Sequence, residues 1–437
     1  MSDKVNFSSN NIDQNYSIEI SEFEFGTGRI ADIIRALKDY YGVESLENLT
    51  HSQKLDGLCK ALQFTPSQLD RLIAQNSPVL RTIKGHAFER VFDEILKMNG
   101  YEVTEVGGDS GVDRIVNNKT LQLKTPNKAG TKENVVEYKT HKTHGAKSER
   151  ESLDYYYSKE DFADYLVGLV SYEPFNILFI PREELPTISK DSSKIKSPFK
   201  VEWDSNPGLN SFKSIGIDNI VISEKIYKPA HGNELLPLSS RKLQLKSEII
   251  IDVILNESNF RIWDMNMRGF AREMAFVEYL SSFGIRVFNP ANCRKERADK
   301  ADIALKSAQN GNFSFLQIKG ITLDLDNFRG RESIVDVETQ LSRGRVNDHP
   351  TQSRLYLETD FDYLIVCIDP CYSKLYSKEI GKPNCFDWEF YAIPNNVLER
   401  HPKYTRRIKS HQKIKYVELQ RYRIDDTWIN LWEKGAN

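Results

Sequence analysis

Residues 84–103, KGHAFERVFDEILKMNGYEV, and 268–287, RGFAREMAFVEYLSSFGIRV, align without a gap at a constant offset of 184. Eight of the twenty positions are identical: Gly85/Gly269, Ala87/Ala271, Glu89/Glu273, Phe92/Phe276, Glu94/Glu278, Leu96/Leu280, Gly100/Gly284 and Val103/Val287. A repeat of this kind constrains architecture more than any composition does, because two similar segments are expected to fold alike. Each reads as an amphipathic helix stopped by glycine and followed by a strand. The likeness resumes downstream, where FADYLVGLV with FNILFIPREEL echoes FDYLIVCID with WEFYAIPNNVL. Spacing is kept as well, with 40 residues from Lys124 to Asp164 and 43 from Lys319 to Asp362. Duplication of a whole unit is the expectation.

The chain has room for it. Its 437 residues suffice for two or three ordinary cores, and 39% hydrophobic with 28% charged residues is a globular balance. No run approaches the roughly 20 apolar residues of a membrane span. The polar start MSDKVNFSSNNIDQNYS lacks an apolar signal core, which reads as a cytoplasmic protein. The five cysteines agree with this, since an odd number without CxxC pairs suits neither a disulfide framework nor a zinc site. Net charge is −2, yet nine Lys/Arg face three acids from Arg114 to Arg150, and nine face one Glu from Arg400 to Arg423. Local basic surface on a near-neutral chain fits selective rather than indiscriminate contact with a polyanion.

Four stretches follow. Residues 1–80 read as helical, with Thr65-Pro66 starting a second helix after a short turn. That resembles a helix-turn-helix, although simple packing of two amphipathic helices is the commoner explanation. Residues 81–187 hold the first unit. Residues 188–255 form a bridging region whose runs IDNIVIS and LKSEIIIDVIL read as strands. Residues 256–437 hold the second unit with the basic tail.

Inside each unit a strand ends in Gln-X-Lys, as Gln122 and Lys124 in LQLKT and Gln317 and Lys319 in FLQIKG. Residues two apart on a strand share a face, so Gln and Lys project together while Leu123 or Ile318 points into apolar packing. Asp113 and Asp302 begin the preceding strands, and the helices bearing Glu89 and Glu273 can pack alongside. Carboxylates with an amide oxygen can hold Mg²⁺, and a neighbouring Lys can orient water and stabilise charge on a phosphate. The plain alternative is a cross-strand ion pair. His141-Lys142-Thr143-His144 reads as a basic loop in which His144 or Lys142 touches phosphate. Tyr155-Tyr156-Tyr157 reads as a partly buried aromatic face, and Asp324 and Asp326 as surface. No phosphate-binding glycine loop is present.

With these residues the two units resemble the PD-(D/E)XK nuclease superfamily. The resemblance spans roughly 81–187 and 256–400 and implies an α/β (α+β) fold with two restriction-endonuclease-like αβββαβ cores and a helical N-terminal region. It implies Mg²⁺ as cofactor and double-stranded DNA as partner. By position it makes Asp113 and Asp302 metal ligands, completed by Glu89 and Glu273, with Lys124 and Lys319 catalytic beside Gln122 and Gln317. Two departures stand out: no Pro precedes either Asp, and Gln replaces the usual acid, contributing an oxygen but no charge. Phosphate contacts are expected from Lys128, Lys132, Lys142, His144 and Lys147 in the basic insert and from Arg406, Arg407 and Lys409 in the tail. The expected function is a type II restriction endonuclease acting as an intramolecular pseudo-dimer, with pairing to a DNA methyltransferase. Rival readings are one cutting and one binding unit, a repair or junction nuclease, and a non-catalytic DNA-binding module.

Overall fold

The computed structural model describes residues 30–435 except 63, 76, 107–110, 127, 130–133, 141–155, 231, 257–259, 295, 297–299, 322–333, 341–354 and 369–387. Helices α1 (Ile30–Tyr41), α2 (His51–Leu62) and α3 (Pro66–Gln75) lead into the long helix α4 (Ser77–Met98). Thr65 and Gln68 form a reciprocal capping box at α3, the Thr65 hydroxyl accepting from the Gln68 N–H and the Gln68 side chain accepting from the Thr65 N–H. Helix α4 crosses the expected boundary at 80/81 because its apolar pattern runs unbroken from Val79 to Leu96. It buries Ala87, Phe88, Val91, Phe92, Ile95 and Leu96 almost completely. Gly100 ends it at φ +82°, with Tyr101 N–H donating to the Leu96 carbonyl at 3.0 Å, a left-handed closure that glycine adopts without strain.

Strands β1 (Thr104–Glu105), β2 (Arg114–Val116), β3 (Lys119–Lys124), β4 (Lys128–Ala129), β5 (Val135–Tyr138), β6 (Tyr165–Tyr172) and β7 (Phe175–Pro181) follow. Five of them form a sheet in the order β1-β2-β3-β6-β7, antiparallel throughout except for the parallel pair β3–β6. Leu121, Leu123, Val167 and Leu169 pack with the α4 face in one core, while Leu166, Leu178 and Ile180 join Tyr138 in another on the opposite face. The described part of the β3-to-β6 crossover carries β4 and β5 and no helix.

The bridge departs from expectation. After β8 (Thr187–Ile188) and β9 (Asp191–Ile195), β10 (Phe199–Glu202) pairs with β5, so this stretch belongs to the first unit's packing. IDNIVIS carries no strand. LKSEIIIDVIL contains helix α6 (Ser247–Ile254), preceded by α5 (Pro237–Leu243). Ile249, Ile250, Ile251, Val253 and Ile254 are all buried in the core shared with α2 and α4. A short apolar run enclosed on all sides has no periodicity by which to separate helix from strand.

Helix α7 (Phe260–Ser282) packs against α1, α3 and α4 and closes on Gly284 at φ +71°, with Ile285 N–H donating to Leu280 O at 3.0 Å. Strands β11 (Val287–Phe288), β12 (Ile303–Lys306), β13 (Phe313–Gly320), β14 (Ile334–Glu338), β15 (Tyr363–Ile368), β16 (Glu389–Pro394) and β17 (His411–Lys415) follow. The second five-stranded sheet runs β11-β12-β13-β15-β16, antiparallel except for the parallel pair β13–β15. Its order and strand directions are those of the first sheet. Strand β14 pairs with β17 as β5 pairs with β10. Asp164 and Asp362 take corresponding positions: their carboxylates accept from Thr120 N–H at 2.9 Å and Phe315 N–H at 2.8 Å, bracing the starts of β3 and β13. No described helix is long and apolar enough to cross a membrane.

Candidate active site

Asp113 stands one residue before β2, held in register by its N–H on Leu121 O at 2.8 Å. Gln122, 3% exposed, donates from Nε2 to Asp113 Oδ2 at 2.6 Å, and Leu123 N–H donates to the same oxygen at 2.7 Å. Gln122 Oε1 is buried and has no hydrogen-bond partner among the described residues. Lys124 follows on the same face. Burial raises the Asp113 carboxyl above its ordinary range, against the charge of Lys124. On α4, burial alone would raise Glu89, but His86, Arg114 and Lys124 bring it below that range.

Arg114 is the buried centre of this site, 5% exposed. Its Nη1 donates to Asp113 O at 2.9 Å, its Nε to Asp93 Oδ1 at 3.0 Å, and its Nη2 lies 3.4 Å from Glu89 Oε2. His86 Nδ1 approaches Glu89 at 3.9 Å. Sequence reasoning passed over Arg114; the available signal was a charged residue at a strand position where the second unit has Ile303.

The second unit repeats the acid–amide geometry. Gln317, 4% exposed, donates to Asp302 Oδ2 at 2.6 Å, and Ile318 N–H donates to that oxygen at 2.7 Å. Lys319 Nζ lies 3.4 Å from Gln340 O and 5.6 Å from the Tyr356 ring centre. Burial, with mutual repulsion between the acids, holds Glu273 well above the carboxylate range, and burial raises Asp302 too. Burial lowers Lys319. The Arg272 side chain fills the space above Gly320, where any Cβ would collide with it.

The structure therefore brings Asp113, Gln122 and Lys124 together with Glu89, and Asp302, Gln317 and Lys319 together with Glu273. Among the described residues no group of three or more His, Cys, Asp and Glu is placed to hold a metal. What each site offers is two carboxylates and an amide oxygen, which are hard donors suited to Mg²⁺ rather than to zinc. Among the described residues Cys59, Cys293 and Cys367 form no disulfide.

The expected phosphate contacts fare differently. Lys132, Lys142, His144 and Lys147 lie outside the described residues, as do His141 and the Asp324 and Asp326 pair, while Lys128 is described only as backbone in β4. In the tail, Arg406 pairs with Glu358 at 3.2 Å, Lys409 with Glu399 at 2.6 Å, and Arg407 donates to Leu355 O. These cations have partners within the chain. Helix α3 likewise directs Gln68 and Arg71 onto Glu278 of α7. Tyr157 is buried, in keeping with an aromatic packing face.

No curated protein and no solved structure matches the chain significantly. A family model described as restriction endonuclease matches residues 80–154, the segment that holds Glu89, Asp113, Arg114, Gln122 and Lys124, and this part of the chain is similar to a restriction-endonuclease-like domain of the PD-(D/E)XK kind.

Proposed function

We propose that the chain is a Mg²⁺-dependent, site-specific endodeoxyribonuclease that cuts both strands of a DNA duplex with two active sites in one polypeptide, in the manner of a type II restriction enzyme. The observation that carries this reading is the recurrence of one geometry. An Asp carboxylate receives a Gln amide and a backbone N–H at matching distances in both sheets, with a Lys two residues beyond the Gln, and one of the two lies in the matched segment.

The donor set suits the cofactor. Asp113, Glu89 and the unpartnered Gln122 Oε1 would hold Mg²⁺ in the first unit, and Asp302, Glu273 and Gln317 in the second. When bound, Mg²⁺ supplies a Lewis acid that polarises a phosphate oxygen and acidifies water. Lys124 and Lys319 would steady, through their ammonium groups, the charge that builds on the phosphate. The Leu123 and Ile318 N–H bonds fix the Asp carboxylates, so the acids are oriented before substrate arrives. On this reading the units are built on 81–187, with the start of α4 and strand β10 of the bridge added to the first, and on 256–437, and Lys128, Lys132, Lys142, His144 and Lys147 line the DNA.

Digestion of a large unmethylated DNA with Mg²⁺, followed by sequencing of the ends, tests the proposal. Discrete fragments sharing one end sequence, abolished by EDTA, are expected. Intact DNA across many sequences with Mg²⁺ or Mn²⁺ would overturn the reading in favour of a binding module, and cleavage confined to branched DNA would favour a junction nuclease.

A further inference from the structure

The two helix acids are committed differently. In the first unit Glu89 is already engaged by a buried guanidinium that also grips Asp93 and the Asp113 carbonyl. The gapless helix alignment places Val277 where the first unit has Asp93, and Phe270 where it has His86. The residue after the strand Asp is Arg114 in one case and Ile303 in the other, and Ile303 packs in an apolar cluster with Ala275 and Phe276. With Val277 and Ile303 in those places, these positions form no equivalent of the Arg114 clamp around Glu273. Its neighbour Arg272 instead occupies the space over Gly320.

A carboxylate bonded to a fixed guanidinium has less to offer a second cation. We propose that Arg114 is a positioning residue that commits Glu89 to the protein, so that the first site holds a divalent cation mainly through Asp113 and Gln122, and more weakly than the second, where Asp302 and Glu273 are both left for it. This rests on the reading that each site takes a divalent cation.

Mn²⁺ binding to the full chain, followed by calorimetry or by the loss of the free-ion paramagnetic signal, tests the proposal without any cleavage. Two classes of site differing by roughly tenfold or more are expected, the scale on which partners of metal ligands alter affinity. Asp302→Asn should remove the tighter class and leave the weaker, and Asp113→Asn the reverse. The double variant R114I/D93V gives the first unit the second unit's residues and should tighten the weaker class about tenfold, with circular dichroism reporting whether it folds. Should it not fold, the two Asp→Asn variants still decide. Loss of the tighter class in Asp113→Asn, or two classes of equal affinity in the unaltered chain, overturns the proposal and leaves the nuclease reading standing. Absence of Mn²⁺ binding at both sites overturns the proposal and the metal-dependent reading together.

Discussion

Beside each candidate lysine the two units solve the same packing problem with opposite residues. Lys124 pairs in register with Gly168, and the Tyr138 ring lies so close over that glycine that any Cβ would meet it. The Tyr138 hydroxyl donates to Leu169 O at 2.9 Å, which holds the ring there. In the second unit Lys319 pairs with Val366, and VVEYKT (135–140) corresponds to IVDVET (334–339), so the fully buried Val337 stands in for Tyr138. A large ring over glycine is exchanged for two valines. Gly168→Val should therefore destabilise the chain by about 1–3 kcal/mol through overpacking, and Tyr138→Val by about 3 kcal/mol through the cavity left behind. The double variant should cost clearly less than the sum of the two, as measured by denaturant midpoints. Additive costs would show that the two residues do not share one space.

At the level of elements, a part-buried carboxylate ties α2, α4 and α6 together over their shared apolar core. Asp252 of α6 accepts from Lys54 of α2 at 2.7 Å, lies 2.9 Å from Arg90 of α4, and lies 3.1 Å from His51. Burial opposes its ionisation, but those three partners outweigh burial and hold its carboxyl below the ordinary range. A depressed folded-state pKa means stability that is complete above the unfolded value of about 3.9 and is lost as pH falls through the lower folded value. Asp252→Asn should cost about 2 kcal/mol at pH 7 because it leaves the buried Lys54 ammonium without its counter-charge. The gap between variant and parent should close as pH drops below about 4; a pH-independent difference would contradict the assignment. Thr65→Ala, which removes half of the α3 capping box, should cost about 1 kcal/mol in the same assay.

The elements also show what could be read without coordinates. Amphipathic helices with glycine stops announced themselves, because a one-sided apolar stripe and a left-handed C-terminal residue are local properties. Helix α6 did not, because SEIIIDVI is apolar nearly all round and rich in β-branched residues, which suits a strand equally well. It is helical because α2 and α4 enclose it and because the Glu234 carboxylate caps it, accepting from the Ser247 N–H at 2.6 Å.

Across the whole molecule, the legible part of the candidate site was the part written as spacing: Glu89, Asp113, Gln122 and Lys124, with their counterparts Glu273, Asp302, Gln317 and Lys319. Arg114 was not legible, because its role depends on α4 lying across β2, which brings Asp93 and Glu89 to a strand residue more than twenty positions away in the chain. The pairings β5–β10 and β14–β17 were hidden for the same reason, each joining segments separated by a long crossover. The two sheets, identical in strand order and direction, place two acid–amide–lysine sets in one polypeptide, and the central claim is that both sets cut. Supercoiled plasmid carrying one cleavage site, incubated with Mg²⁺, tests this most directly when the unaltered chain is compared with Lys124→Ala, Lys319→Ala and the double variant. Each single loss should slow one strand's hydrolysis by about a hundredfold or more. The unaltered chain should linearise the plasmid, each single variant should accumulate the nicked circle with the opposite strand intact, and the double variant should leave the supercoil. Complete loss of cleavage from one single variant, with undiminished linearisation by the other, would contradict two working sites.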